Sequence, residues 1–317
     1  MRDIRILLLP LCAMLVGSCG SEPAASAKAK PFPEKREVPS AEPVEIQMKN
    51  VNFRLAKEIV LEVRSLRGQL QRTQPAVPVS FDDAASFKVS INSAEVAMTP
   101  ASLSALLNSY VLAYPGAPIR NIEVSFKDGR ILEKGTMHKG IDIPFEIEGS
   151  LSTTADGNIR MHAGKIKSAH LPVKGLLHLF GEDLSKLVKR NAGRGMTIAE
   201  DDIILDLRSA TPPPHMEGRV TRVGIEGGKL VQVFDSGRRA APLDPPFQTA
   251  AYIYHRGGVV RFGKLTMTDT DLEIVGDRRD YLDFFQREYL KQLIAGYSKT
   301  TPANGLVAHM VDYSRVQ

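Results

Sequence analysis

Residues 119–153, IRNIEVSFKDGRILEKGTMHKGIDIPFEIEGSLST, decide the fold class of this chain. Ile119, Ile122, Val124 and Phe126 lead into the turn Lys127-Asp128-Gly129, and Ile131 and Leu132 follow it. Asp-Gly between two apolar runs signals a β-hairpin, because a two-residue turn needs positive φ at positions that Asp and Gly tolerate. Ile141, Ile143, Phe145 and Ile147 alternate with polar residues and Leu151 keeps their phase, as in a half-buried strand. Asp156-Gly157-Asn158 makes the next turn before Ile159, Met161, Ala163 and Lys165. Strands joined by turns this short pair antiparallel.

The same reading extends in both directions. Upstream, strands are expected at 44–48, at 55–66 (Ile59, Leu61, Val63) and at 87–98 (Phe87, Val89, Ile91, Val96, Met98). A helix begins at Thr99, a natural N-cap followed by Pro100 at the first helical position. Its apolar face is Leu103, Leu106, Leu107, Tyr110, Val111 and Tyr114, and Pro115-Gly116 ends it. Downstream, a second amphipathic helix is expected over 171–190, with Leu176, Leu177 and Phe180 on its face. Strands resume at Met196-Ile198, Ile203-Leu207, Val220-Ile225, Leu230-Val233, Ile253, Val260-Phe262, Leu265-Met267 and Leu272-Ile274. A last helix is expected from Asp280 to Tyr297. The expectation is an α+β protein: a long, curved, mostly antiparallel sheet wrapped around amphipathic helices.

The N-terminus reads as an address. Arg2 and Arg5 precede the apolar stretch Ile6–Val16, which is shorter than the ~20 residues of a membrane span. Val16-Gly17-Ser18-Cys19 closes it and resembles the lipobox of bacterial lipoproteins. That resemblance implies removal of residues 1–18 and attachment of membrane lipid to Cys19. Gly20 stands where an aspartate would favour inner-membrane retention in enteric bacteria, so the expected location is the outer membrane, facing the periplasm. Residues 19–43, with Pro23, Pro31, Pro33, Pro39 and Pro43, cannot bury enough apolar surface to order themselves. As an extended tether they would reach up to ~75 Å at ~3.1 Å per residue. Residues 44–317 are then one elongated domain.

Composition narrows the chemistry. Lys and Arg number 41 and Asp and Glu 36, and loss of Arg2, Arg5 and Asp3 with the leader lowers the net charge from +5 to +4. A charge this mild implies no nucleic-acid surface. Cys12 and Cys19 are the only cysteines, so the domain has no disulfide, thiolate metal site or cysteine nucleophile. The histidines form no HxxxH pair, and no GxSxG elbow or phosphate loop is present. Asp269, Asp271 and Glu273 alternate along one strand and are expected on an exposed face. The expectation is a protein without catalytic, metal or cofactor site.

Residues 86–153, with FKVSINSAEVAMTPASLSALLNSYVLAYPGAP from Phe87 onward, place a helix before long strands. With the step Asp128-Gly129-Arg130-Ile131 leading to Gly135 and the strand Ile143-Pro144-Phe145-Glu146-Ile147, they resemble the bacterial periplasmic phospholipid-binding domains of the tubular lipid-binding superfamily. The similarity runs to about residue 233, and 247–317 has no counterpart. It implies a curved sheet around a helix with lipid held between them through a diffuse apolar lining. Leu103, Leu106, Leu107, Tyr110, Leu176, Leu177 and Phe180 are the candidate lining. The expected ligand is a phospholipid or other amphiphile. The alternative is an assembly lipoprotein that holds a protein partner, whose identity the sequence leaves open, by its sheet edges and C-terminal helix.

Overall fold

The computed structural model describes residues 42–168 and 194–316, apart from 239, 248 and 279. The leader, Cys19, most of the tether and the helix expected over 171–190 lie outside the described residues. The first strands are β1 (Val44–Arg54), β2 (Val60–Arg72), β3 (Val79–Ser80) and β4 (Phe87–Met98). Residues 55–58 are bends leading into β2. Thr99 caps the helix Pro100–Leu106, its hydroxyl accepting from the Ser102 amide at 3.1 Å, and a wider π turn carries the helix on to Val111. Then come β5 (Ile119–Lys127), β6 (Arg130–Lys139), β7 (Ile141–Thr153) and β8 (Ile159–Ser168). Beyond the undescribed stretch lie β9 (Met196–Ala199), β10 (Asp202–Leu205), a short helix Leu207–Ala210, β11 (His215–Glu217), β12 (Val220–Glu226) and β13 (Lys229–Asp235). The chain ends with β14 (Tyr252–Arg256), β15 (Val259–Phe262), β16 (Leu265–Thr268), β17 (Asp271–Gly276), β18 (Leu282–Phe285), the helix Tyr289–Ala295, β19 (Tyr297–Thr300) and β20 (Leu306–Met310).

The α+β, sheet-rich class holds, but the strands form three open sheets where one long sheet was expected. A large sheet runs β12-β13-β4-β2-β1-β14-β17-β20-β19, with β11 beside β4 and β18 beside β1. A six-stranded antiparallel sheet runs β5-β6-β7-β8-β10-β9, and β16-β15-β3 form the third. Asp128 and Gly129 both take positive φ (49° and 72°), as do Gly227 and Gly228 (57° and 74°), giving the tight hairpins β5–β6 and β12–β13.

Breaks in apolar alternation are resolved by bulges. Ile119 and Ile122 are three residues apart, yet both are buried, because β5 shifts register between Arg120 and Glu123 with Asn121 at φ 55°. In β8 the register shift skips Gly164, so Lys165, expected in phase with Ala163, projects outward to Glu148 and Ile166 is half-buried instead.

The C-terminal region departs most from the sequence pattern. Leu282 and Phe285 belong to a fully buried strand parallel to β1, and the helix is confined to Tyr289–Ala295. Leu282-Asp283-Phe284-Phe285 shows no alternation because it is covered on both faces. Gly257-Gly258 turns the chain between sheets: β14 pairs with β1 and β17, while β15 crosses to the third sheet beside β3. Glu273 is buried rather than exposed, because the connection after β13 lays Leu243 and Phe247 over that face; the Phe247 amide donates to its carboxylate at 2.7 Å. Burial raises the Glu273 carboxyl above its usual range.

Gln292 sews this region together. It is fully buried, its amide donates to the carbonyls of Asp283 (2.7 Å) and Val311 (2.9 Å), and its oxygen accepts from the Phe285 amide (2.9 Å). Asp283 in turn holds Arg54 of β1 through both oxygens, at 2.6 and 3.1 Å. Gln292→Ala strands three backbone groups at once, two of them buried, so it should destabilise the protein by ~2–4 kcal/mol in urea denaturation. A loss under 0.5 kcal/mol would show that these bonds do not carry the C-terminal docking.

Candidate functional site: an apolar cavity over the six-stranded sheet

The inward positions of the six-stranded sheet follow from its register. Ile119, Ile122 and Val124 on β5, Ile131 and Met137 on β6, Ile143, Phe145 and Ile147 on β7 and Ile159, Met161 and Ala163 on β8 are all buried. The helix Pro100–Leu106 and its π turn cover this face. Leu103, Leu107 and Leu112 from that segment, inward residues of all six strands and Leu230 at the start of β13 enclose one cavity of about 70 Å³. Five inter-strand steps of ~4.8 Å would separate β5 from β9 by ~24 Å in a flat sheet. Ile122 on β5 and Ile198 on β9 line the same cavity, so the sheet curls over the helix.

Backbone contacts fix the helix in place. The β5 bulge leaves edge groups that helix side chains take up: Asn108 accepts from the Ile122 amide at 2.8 Å and donates to the Ile122 carbonyl at 2.6 Å. Ser104 Oγ accepts from the Val124 amide at 2.8 Å. Gly135 leaves room within the sheet. A Cβ there would lie 2.6 Å from Ile122 Cδ1 and 2.7 Å from Phe145 Cζ, so its place is filled by the Phe145 ring from the directly opposed position on β7.

The two faces of this sheet differ sharply in charge. Outward, Glu146 meets Lys167 at 2.8 Å and Lys134 at 3.8 Å, and Glu148 meets Arg130 at 3.5 Å and Lys165 at 3.7 Å. Inward, Glu133 is the sole ionisable residue among the described residues that line the cavity, opposed by Val124 on β5 and Ile147 on β7. Part of its surface opens into the cavity, but the atoms around it are hydrocarbon, and it has no hydrogen bond or ion pair among the described residues. Burial pushes its carboxyl up to about 7.

Of the candidate lining residues, Leu103 and Leu107 face the cavity. Leu106 is packed in the core at 1% exposure, away from the lining. Tyr110 is half-buried and lies under the Arg194 guanidinium, 4.8 Å from its ring centre. Leu176, Leu177 and Phe180 lie outside the described residues, as does Cys19. Glu133 was missed by the sequence reading, although Ile131, Glu133 and Met137 share one strand phase that a strict alternation count would have exposed.

No group of His, Cys, Asp or Glu that could hold a metal ion occurs among the described residues. His162 and His138 pair singly with Asp202 (2.8 Å) and Asp142 (2.6 Å) on the outward face. No described helix is long and apolar enough to cross a membrane. No protein-family model, curated protein or solved structure matches the chain.

Glu133 gives the fold a pH signature. Between about pH 4.5 and 7 the folded protein keeps a proton that the unfolded chain has lost. Stability contributed by this group therefore falls as pH rises through that window and levels off above it. Glu133→Gln removes the loss, so the variant should be ~1–3 kcal/mol more stable than the parent at pH 8, with the difference fading by pH 4. Denaturant titrations at both pH values measure it; a variant less stable at pH 8 would show that the carboxylate has a partner.

Proposed function

We propose that this chain is an envelope lipoprotein, anchored through lipid on Cys19, that binds or shuttles the aliphatic part of a phospholipid or another amphiphile. The observation that carries the reading is the cavity between the helix and the curled sheet, walled among the described residues by hydrocarbon except at Glu133. Each methylene buried there contributes about 0.8 kcal/mol, so affinity needs few polar contacts. At about 70 Å³ the space holds a short stretch of chain, and a longer one must spread the walls. Leu151 on β7 and Ile198, Ile203 and Leu205 on β9 and β10 are the half-buried apolar side chains of the lining, and their outer faces are not packed against the core. The resemblance of residues 86–153 to tubular lipid-binding domains points the same way, as does a tether that gives the domain reach from a membrane.

Mass spectrometry of organic extracts from the purified full chain tests this. Lipid should co-purify, and Ile203→Trp, which fills the cavity, should lower it at least ten-fold while the circular dichroism spectrum is kept. Cys19→Ser should release the chain from membranes and abolish acyl mass on the N-terminal peptide. Absence of any bound or transferable lipid from the parent protein would overturn the binding reading.

A second reading, an assembly lipoprotein, is favoured by one patch. Leu290 and Ile294 lie one helical turn apart and are 42% and 82% exposed, and Tyr297, on the edge strand β19, is 52% exposed. If this patch holds a partner protein, Ile294→Glu should abolish its stoichiometric recovery from solubilised membranes without altering lipid content. Unchanged recovery would discard this reading.

A further inference from the structure

The outward carboxylates of β7, Asp142, Glu146 and Glu148, each have a cation beside them, and the inward Glu133 of β6 has none among the described residues. It stands mid-strand, where Ile122, Ile131, Phe145 and Ile147 line the wall around it and Leu103 and Leu107 line the helix side. None of these can hydrogen-bond a carboxyl. An occupant that is hydrocarbon throughout would leave this group unsatisfied, at a cost of ~1–3 kcal/mol for a buried acceptor. An anionic group brought to the same point would be repelled in a medium of low dielectric. A cationic donor is the complement: a charge-assisted hydrogen bond is about twice as strong as a neutral one.

We propose that the cavity is built for an aliphatic chain that bears an amine, with the Glu133 carboxylate receiving the ammonium group. This rests on the amphiphile-binding reading of the same cavity and specifies the polar group that enters it. The ammonium supplies at Glu133 the positive charge that lysines and Arg130 supply beside Glu146 and Glu148. Because free Glu133 holds its proton to about pH 7, an ammonium ion entering below that pH must displace the proton, so binding and proton release are linked.

Isothermal titration of the full chain with n-decylamine, n-decanol and n-decanoate at pH 8 tests the assignment. Decylamine is expected to bind at least ten-fold tighter than decanol, with decanoate weakest, and Glu133→Gln should collapse the amine–alcohol difference. A second measurement needs no variant. At pH 6.5, titrations in buffers of different ionisation enthalpy should show release of a fraction of a proton per decylamine bound and none per decanol. Equal binding of all three probes to the parent, a preference that survives Glu133→Gln, or amine binding without proton release would overturn the amine assignment while leaving amphiphile binding in place. Failure of all three probes to bind would overturn both.

Discussion

The bond pair between Asn108 and the backbone of Ile122 is the constraint on which the site depends. β5 is an edge strand, and an edge exposes amides and carbonyls that another chain could pair with. Asn108 engages Ile122 in both directions and Ser104 takes the Val124 amide, so side chains of a helix stand where a seventh strand would lie. This closes the edge and also sets the rotation of the helix. With Asn108 and Ser104 turned to β5, Leu103 and Leu107 face the sheet interior. The cavity is thus a consequence of how one edge is sealed.

Within the sheet, the spacing of apolar residues and the bulges answer one another. Alternation from Ile122 to Phe126 and from Ile143 to Leu151 was legible because each face has one environment, whereas Ile141, in the same phase, is 63% exposed at the start of β7. The steps Ile119 to Ile122 and Ala163 to Ile166 were not, since a three-residue interval means either an exposed apolar residue or a bulge. Only the neighbouring strand decides which. Asn121 at positive φ and Gly164 at the extra position supply the bulge in each case. The hairpins at Asp128-Gly129 and Gly227-Gly228 were legible for a local reason: their turn geometry is a property of those residues alone.

Past residue 247 local signals lose their authority. Leu282, Phe285 and Tyr289 at spacings of three and four imitate a helix face, yet the first two lie in a strand beside β1, more than two hundred residues away in sequence. A parallel neighbour that distant leaves no trace in a short window. Glu273 shows the same limit. Its alternation with Leu272 and Ile274 correctly gave a strand, but the loop carrying Leu243 and Phe247 covers the face that alternation marks as wet. His255 follows suit: fully buried beside Phe81, it is pushed down to about 3 by loss of solvent and stays neutral in the fold.

Glu133 and His255 together show how the protein spends its buried ionisable groups. His255 stands edge-to-face against Phe81, whose ring also meets Phe262 and Phe284, and it lines a space of only about 20 Å³. Neutrality costs an imidazole little near pH 7, so a closed core can hold it indefinitely. A carboxyl raised to about 7 is poised instead between two states, each poorly served by hydrocarbon walls. A side chain of the size of leucine or methionine at position 133 would have continued the hydrocarbon wall that Ile131 begins on the same strand. Among the described residues the lining departs from hydrocarbon at Glu133, and a group that needs a partner placed beside an opening is a stronger sign of a ligand than either feature alone.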